Sequence, residues 1–172
     1  MRRQSAFPLL LLAGCAGCVP KREAPPPPAA AVPVAPPPVA APLARDWSEW
    51  PVTPGDWAYR KDGRGSIALF GAPGADARFT LRCDRLQGRL FVSRAGAGGS
   101  AITVRTTSVT RAIAAKSTGG TPPYLAAELA TSDPLVDAMG FSRGRFVVET
   151  AGQPPLVLPS WAEVLRVAED CR

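Results

Sequence analysis

The sequence predicts a mainly β domain over residues 45–172, a small antiparallel β-sandwich or open barrel with a short internal helix and a disulfide-joined C-terminal helix. Three observations predict this class. Several short segments alternate apolar and polar side chains, as strands with one buried face do. Gly-containing turns separate those segments. Two cysteines, Cys83 and Cys171, lie on a predicted strand and at the end of a predicted helix.

The first strands follow from alternation and turn chemistry. Residues 56–60 and 66–70 flank an Asp-Gly turn and are predicted to form a hairpin. The next strand has apolar residues and Cys83 on one face, and Leu90-Val92 and Ile102-Val104 continue the sheet as alternating pairs. The glycine loop at residues 95–99 leads into a strand and lacks the Lys-Ser/Thr of a phosphate loop, so it is predicted to be a hairpin connection.

The last third mixes strands with two helices. Strands are predicted at residues 125–129, 145–149 and 155–158. Asp133 followed by proline predicts a helix running to about Phe141. A capping box at Ser160 predicts the start of the final helix, whose apolar stripe comprises Trp161, Val164, Leu165 and Ala168, with Cys171 at its edge.

The N-terminal segment has the pattern of a processed export signal. A basic start precedes a short apolar run that ends in Leu12-Ala13-Gly14-Cys15. This segment resembles the signal of bacterial lipoproteins, and residues 1–14 are predicted to be its signal peptide. The resemblance implies cleavage before Cys15, diacylglyceryl transfer to its sulfur and acylation of its amine. Alternatives are an ordinary secretory signal and Cys18 as the modified residue.

The resemblance also implies a location in the cell envelope. An Asp after the lipidated cysteine retains Gram-negative lipoproteins in the inner membrane, and Ala16 stands there in this chain. We therefore expect attachment to the lipid bilayer of the outer membrane, on its periplasmic face. Two or more acyl chains make such attachment stable.

Residues 15–44 are predicted to be the lipid anchor and a linker. Nine of the nineteen residues at positions 24–42 are proline, and the others are Ala or Val. This composition favours polyproline II and a spacer of up to about 60 Å. A proline-rich ligand for a partner domain and a linker without any recognition role are the alternatives.

Cysteine usage agrees with export. An even pair in one small domain of an oxidising compartment predicts a disulfide, here between Cys83 and Cys171. Cys18 is the odd thiol, either free or cross-linked to another chain.

Composition excludes several activities. The chain has no His and no Asn, so a Ser-His-Asp or Cys-His apparatus and a His-ligated metal site are excluded. Residues 45–172 carry 16 Arg and Lys against 13 Asp and Glu, a net +3 that is too small for a nucleic-acid footprint. We expect no catalytic residues, no metal and no cofactor.

The domain itself resembles known envelope proteins in layout. Residues 81–83, the Gly-x-Phe strand at residues 144–146 and the closing helix look like periplasmic domains of the invasion-associated locus B type and of type VI secretion accessory proteins. Residues 133–146 and the Pro-Ser-Trp-Ala-Glu helix look like an uncharacterised Gram-negative lipoprotein family. The resemblance implies a β-sandwich or open barrel and supplies no catalytic set.

Three groups of side chains are candidate sites. Four arginines on the non-apolar parity of successive strands are a candidate anion-binding face, with a solvated sheet surface as the alternative: Arg78, Arg82, Arg89 and Arg105. Arg143 and Arg145 beside Gly144 are a candidate anion-binding turn or an ordinary helix-to-strand turn. The third group is the acidic set Asp133, Asp137 and Glu149, candidate paired carboxylates for acid/base hydrolysis of a glycan, in which Asp133 is better explained as a helix cap.

Tryptophans crowd the start of the domain. Trp47, Trp50 and Trp57 are expected to cover the edge of the core, and stacking on sugar rings is the alternative. Taken together, the sequence predicts a non-enzymatic lipid-anchored binding or structural module whose partner is an envelope glycan or a periplasmic protein. Inhibition of a lysozyme-like cell-wall hydrolase is the alternative function.

Overall fold

An antiparallel sheet of nine strands organises the domain in a computed structural model that describes residues 43–172. The strands are β1 (Asp56–Asp62), β2 (Gly65–Gly71), β3 (Phe79–Asp84), β4 (Arg89–Ala95), β5 (Ala101–Arg105), β6 (Thr110–Ser117), β7 (Tyr124–Ala130), β8 (Arg145–Glu149) and β9 (Leu156–Pro159). The helices are α1 (Pro134–Gly140) and α2 (Ala162–Cys171), and a 3₁₀ turn covers Trp47–Glu49. The predicted mainly β class is confirmed.

The sheet curls so that its two edge strands approach each other. The strand order is β1-β2-β3-β4-β7-β6-β5-β8-β9. Thr53, just before β1, donates its N–H to the carbonyl oxygen of Val157 on β9 at 2.9 Å, and its Oγ1 accepts the N–H of Val157 at 2.9 Å. The domain is therefore an open barrel, brought close to closure by these two hydrogen bonds.

The glycine loop after β4 is not a hairpin, so that prediction is wrong. β4 pairs with β7, while β5 pairs with β6 and β8. The loop carries the chain across the end of the barrel, against the segment after β8. Gly96 has φ +127°, and a Cβ there would lie 1.9 Å from Nε2 of Gln153. Glycine is favoured here because L side chains rarely adopt this φ, whereas the Gln153 amide is the end of a flexible side chain that can move.

Strand β6 is absent from the predicted elements. Ile113 is its one large apolar side chain, the others are small, polar or charged, and most of the strand is exposed, so no apolar alternation marks it. Residues 101–105 of β5 pair with residues 110–114, and residues 125–127 of β7 pair with residues 115–117. β6 thus connects the two halves of the sheet, and its strand conformation comes from that pairing.

Aromatic side chains fill the interior of the barrel. Trp57 packs edge-on against Phe70 and Phe79 with ring centroids 5.3 and 6.0 Å apart, and Phe79 contacts Phe146 at 6.0 Å. Edge-to-face packing of this kind contributes beyond simple burial. Aliphatic side chains of the inward strand faces complete the core.

The helices close one side of the interior. Asp133 caps α1 as predicted, since its Oδ1 accepts the N–H of Leu135 at 2.8 Å. The predicted capping box of α2 is wrong, because Trp161 occupies the N-cap position without a side-chain cap. Trp161 is also 48% exposed, so it does not belong to the buried stripe, which consists of Val164, Val167 and Ala168.

A disulfide joins the end of α2 to β3. Cys83 and Cys171 are bonded with their Cα atoms 5.4 Å apart, within the usual range for a disulfide. The predicted pairing and the predicted attachment of the C-terminal helix are confirmed.

Candidate functional site

The outer surface of β3 and β4 carries three of the four candidate arginines. Arg82 alternates with the buried Leu81 and Cys83, so it points outward, and its cross-strand neighbour is Phe91 on β4. Arg78 precedes β3 on the same parity, and Arg89 begins β4. We call this surface, with Arg78, Arg82, Arg89, Thr80 and Phe91, the arginine face.

Arg105 does not belong to the arginine face. It lies at the end of β5, and β7 and β6 separate that strand from β4 in the sheet. Thr103, on the same strand and parity, is separated in the same way. The expectation that successive strands would place all four arginines side by side fails because the chain leaves β4 without forming a hairpin.

Ion pairs neutralise most of the positive charge on this face. The guanidinium of Arg82 lies 2.8 Å from Asp62, and that of Arg89 lies 2.8 Å from Glu128. The hydrogen bond from Arg82 holds the pKa of Asp62 below its ordinary value. Arg105 pairs with Glu149 at 3.2 Å. Among residues 43–172, Arg78 has no ion-pair partner. Because the other two arginines of the face are paired, the face is mainly polar and only weakly cationic.

A groove of about 400 Å³ opens on the arginine face. Its floor carries the half-buried Phe91, with the hydroxyl-bearing Thr80 and Ser93 paired across the strands beside it. The groove is lined by Arg64, Thr80, Arg82, Gln87, Phe91, Ser93, Thr118 and Ala126. An aromatic ring beside hydroxyl, amide and guanidinium groups can pack against an apolar ring face while hydrogen bonding to that ring's polar edge.

The second candidate, the turn at residues 142–145, already uses two of its backbone donors in hydrogen bonds within the domain. The N–H of Arg143 donates to Thr107 Oγ1 at 3.3 Å, and that of Ser142 donates to the Met139 carbonyl at 3.4 Å. The Arg145 guanidinium donates to the carbonyl oxygen of Trp50. The arrangement matches an ordinary helix-to-strand turn, with the Arg143 side chain exposed.

The acidic set is distributed over separate ion pairs. Both carboxylate oxygens of Asp133 accept from Arg111 at 2.8 Å, in addition to capping α1. Asp137 pairs with Arg172 at 2.6 Å, and Glu149 pairs with Arg105. The carboxylates therefore act in capping and in salt bridges.

Two of the three tryptophans at the start of the domain, Trp50 and Trp57, are held by hydrogen bonds to carbonyl groups, and Trp47 is half-buried. Trp57 is buried, and its Nε1 donates to the carbonyl oxygen of Pro159 at 2.9 Å. Trp50 is half-buried and donates to the carbonyl of Ala44 at 2.6 Å. For Trp57 the expected role at the edge of the core is confirmed.

Arg94 is a buried charge that the sequence analysis missed. Its side chain points into the barrel from β4, and it donates to the carbonyl oxygens of Val148 at 2.8 Å and of Pro154. Burial and, to a smaller extent, repulsion from Arg78 lower its pKa to about 10, while attraction to Glu149 opposes the shift. The guanidinium is still charged at neutral pH. The sequence does contain a signal for this buried charge, because Arg94 falls on the same face of β4 as the apolar Leu90 and Val92.

Within residues 43–172, no group of His, Cys, Asp and Glu side chains is arranged to hold a metal ion. Neither helix in that range is long and apolar enough to cross a membrane. Cys15 and Cys18, the linker and the signal segment lie outside the described residues. Comparison of the chain with protein families, with characterised proteins and with solved structures finds no match in any of the three.

Proposed function

We propose that this chain is a non-enzymatic lipoprotein, anchored through acylated Cys15 to the periplasmic face of the outer membrane, whose domain binds an envelope glycan. The lipobox at residues 12–15 supports the anchor. The Cys83–Cys171 disulfide supports an exported, oxidising location, because structural disulfides are rare in the cytosol.

The groove on the arginine face is the observation that carries the binding role. Sugar rings offer an apolar face for Phe91 and hydroxyl groups for Thr80, Ser93 and Arg82. Because Asp62 and Glu128 neutralise two of the arginines, the surface suits a hydroxyl-rich glycan with an occasional carboxylate better than a highly charged polymer. The rigid sheet beneath the groove keeps these side chains in place.

Glycan binding can be tested with two groove variants and one control variant. The full mature chain carrying Cys15→Ser would be titrated with soluble peptidoglycan fragments in a calorimeter. We expect Phe91→Ala and Arg82→Ala each to weaken binding by roughly tenfold, because each removes a stacking surface or a charged donor. Arg105→Ala is the matched control, since Arg105 is also a paired strand arginine but lies outside the groove.

Either of two results would overturn the glycan proposal. One is a parent protein that binds no fragment. The other is an equal loss of affinity in Arg82→Ala and Arg105→Ala, which would place the effect outside the groove.

The anchor has its own test. Mass spectrometry of the mature protein should show Cys15 as the N-terminal residue carrying a diacylglyceryl group and an acylated amine. Cys15→Ala should move the protein from the membrane to the soluble fraction, and Cys18→Ala should leave it in the membrane. An unmodified Cys15, or release by Cys18→Ala, would contradict the proposed anchor.

A further inference from the structure

Large exposed apolar side chains are concentrated at one end of the domain. Residues 43–172 contain six of them: Leu43, Val52, Leu86, Val109, Phe141 and Trp161. All except Leu86 lie around the turn between α1 and β8. Phe141 is 73% exposed and Trp161 is 48% exposed. Clusters of exposed apolar groups mark interaction surfaces, whereas isolated ones do not.

Hydrogen bonds hold the segments that carry these residues next to one another. The N–H of Ser160 donates to the carbonyl oxygen of Gly144 at 3.3 Å, which places Trp161 beside the turn that follows Phe141. The N–H of Thr107 donates to Ser142 Oγ at 3.1 Å, which brings the loop of Val109 to the same turn.

The start of the domain joins the same cluster. The Arg145 guanidinium binds the carbonyl of Trp50, two residues before Val52. Leu43 adjoins Ala44, whose carbonyl accepts from Trp50 Nε1 at 2.6 Å. We call the surface formed by Leu43, Val52, Val109, Phe141 and Trp161 the aromatic end.

Leu86 is located away from the aromatic end and is therefore an internal control. It is 80% exposed on the turn between β3 and β4. Cys171, at the C-terminal end of α2, is bonded to β3 near this turn, while Trp161 precedes the first residue of the same helix. The ten residues of α2 separate the two positions by about 15 Å.

The segment that carries Cys15 joins the domain at the aromatic end, because Leu43 contributes to that surface and lies at the N-terminal boundary of the compact unit Ala41–Arg172. We propose that the aromatic end docks on the lipid bilayer and inserts Phe141 and Trp161 into the headgroup region. This inference rests on the proposed anchor at Cys15. Trp and Phe favour the membrane interface, and an acyl anchor raises the local concentration so that weak insertion is sufficient.

The charges at this end indicate that apolar insertion drives the docking. Three basic residues, Arg45, Arg143 and Arg145, are balanced by the acidic Asp46, Glu49 and Glu163. An electrostatic dock would need an excess of positive charge and would weaken with salt. We therefore expect docking on zwitterionic and anionic bilayers alike, with little dependence on ionic strength.

Vesicle binding tests the docking without the acyl chains. The mature chain carrying Cys15→Ser would be sedimented with vesicles of phosphatidylethanolamine and phosphatidylglycerol. We expect Phe141→Ser with Trp161→Ser to reduce the partition coefficient by about tenfold or more, because two apolar side chains lose their burial in lipid. Leu86→Ser is the matched control and should leave partitioning unchanged.

The docking proposal is overturned if the parent does not bind vesicles even at a lipid concentration high enough to detect weak partitioning, if Leu86→Ser causes the same loss, or if salt abolishes binding. The exposed positions of Phe141 and Trp161 favour normal folding of the double variant, which an unchanged urea midpoint would check. Mass spectrometry of Cys15 is independent of these results, so failure of the anchor and failure of the docking are distinguishable.

A second experiment identifies the occupant in the native membrane. A photoreactive residue introduced at Phe141 of the acylated chain should form adducts with phospholipid. If the dominant adduct is with a protein, the aromatic end contacts a protein partner and not the bilayer, and the proposal is overturned.

Discussion

Arg94 illustrates how one buried charge connects two parts of the barrel. Its guanidinium donates to carbonyl oxygens on β8 and in the segment before β9. We expect Arg94→Leu to lower the free energy of unfolding by about 2–4 kcal/mol, because two carbonyls lose a charged donor. Urea unfolding followed by tryptophan fluorescence would measure it. Arg78→Leu, at an exposed position, is the control and should change stability little; equal losses in both variants would contradict this role.

Asp84 makes stability depend on pH in the acid range. Its carboxylate is almost fully inaccessible and accepts Nε of Arg64 at 2.9 Å and the N–H of Gln87 at 3.1 Å. The bond from Arg64 lowers its pKa below the ordinary 3.8, although burial opposes the shift. The unfolded chain therefore takes up a proton first, and the stabilisation present above pH 3.8 is lost as pH falls through the lower folded-state pKa.

Urea midpoints measured between neutral pH and the acid range would reveal this dependence. We expect Asp84→Asn to be less stable than the parent at neutral pH and to lose less stability on acidification. Asp56→Asn, which removes an exposed carboxylate without an ion pair in the described residues, should retain the parent's pH profile. An unchanged profile in Asp84→Asn would contradict the assignment.

At the scale of elements, the disulfide determines how firmly α2 is held. Cys83 and Cys171 are separated by 88 positions, and closing such a loop stabilises the folded state by up to about 4–5 kcal/mol in the chain-entropy model. We expect reduction to lower the urea midpoint and to speed amide exchange in α2 before the sheet. Cys18→Ala should keep the response to reductant, whereas Cys83→Ala with Cys171→Ala should remove it. A parent insensitive to reductant would contradict this view.

The contact between α1 and α2 depends on one glycine. A Cβ added at Gly140 would lie 2.3 Å from Cδ2 of Leu165 on α2. Gly140→Ala should therefore force the helices apart and cost about 1–3 kcal/mol, as overpacking does. Thermal unfolding would show the loss. Gly63→Ala, where the added Cβ meets nothing within 4 Å, is the control; a parent-like Gly140→Ala would show that Leu165 can move away.

Alternation predicts those elements that bury one apolar face. It identifies β1 to β5 and β7, while short continuous apolar runs after Gly144 and Gly152 identify β8 and β9, and proline after Asp133 identifies α1. It misses β6, whose alanines and charged residues are ordered by pairing with β5 and β7. It also misplaces the start of α2, because Trp161 becomes the exposed N-cap of that helix. Local pattern therefore does not identify a strand whose conformation depends on its neighbours.

At the scale of the whole molecule, the candidate sites depend on the order of the strands in the sheet. The alternation of side chains along a strand indicates which face each residue lies on, but it does not indicate which strands are neighbours. Parity correctly points Arg78, Arg82 and Arg89 outward, yet it does not reveal that β7 and β6 intervene before Arg105. The aromatic end likewise arises from segments distant in sequence, at residues 43–52, 109, 141 and 161. These groupings follow from the non-local path of the chain across the barrel.

The charge of the whole domain bears on the alternative function, inhibition of a lysozyme-like hydrolase. Residues 45–172 carry 16 basic and 13 acidic side chains, a net +3. A basic lysozyme is best met by an acidic surface, because like charges slow association. We therefore expect micromolar mature chain carrying Cys15→Ser to leave the rate of cell-wall lysis by a basic lysozyme unchanged. Turbidity of a cell-wall suspension measures that rate, with bovine serum albumin as the protein control. A concentration-dependent fall in lysis that persists in Arg82→Ala, in which binding to the cell wall itself is weakened, would contradict the proposed binding module and favour the inhibitor.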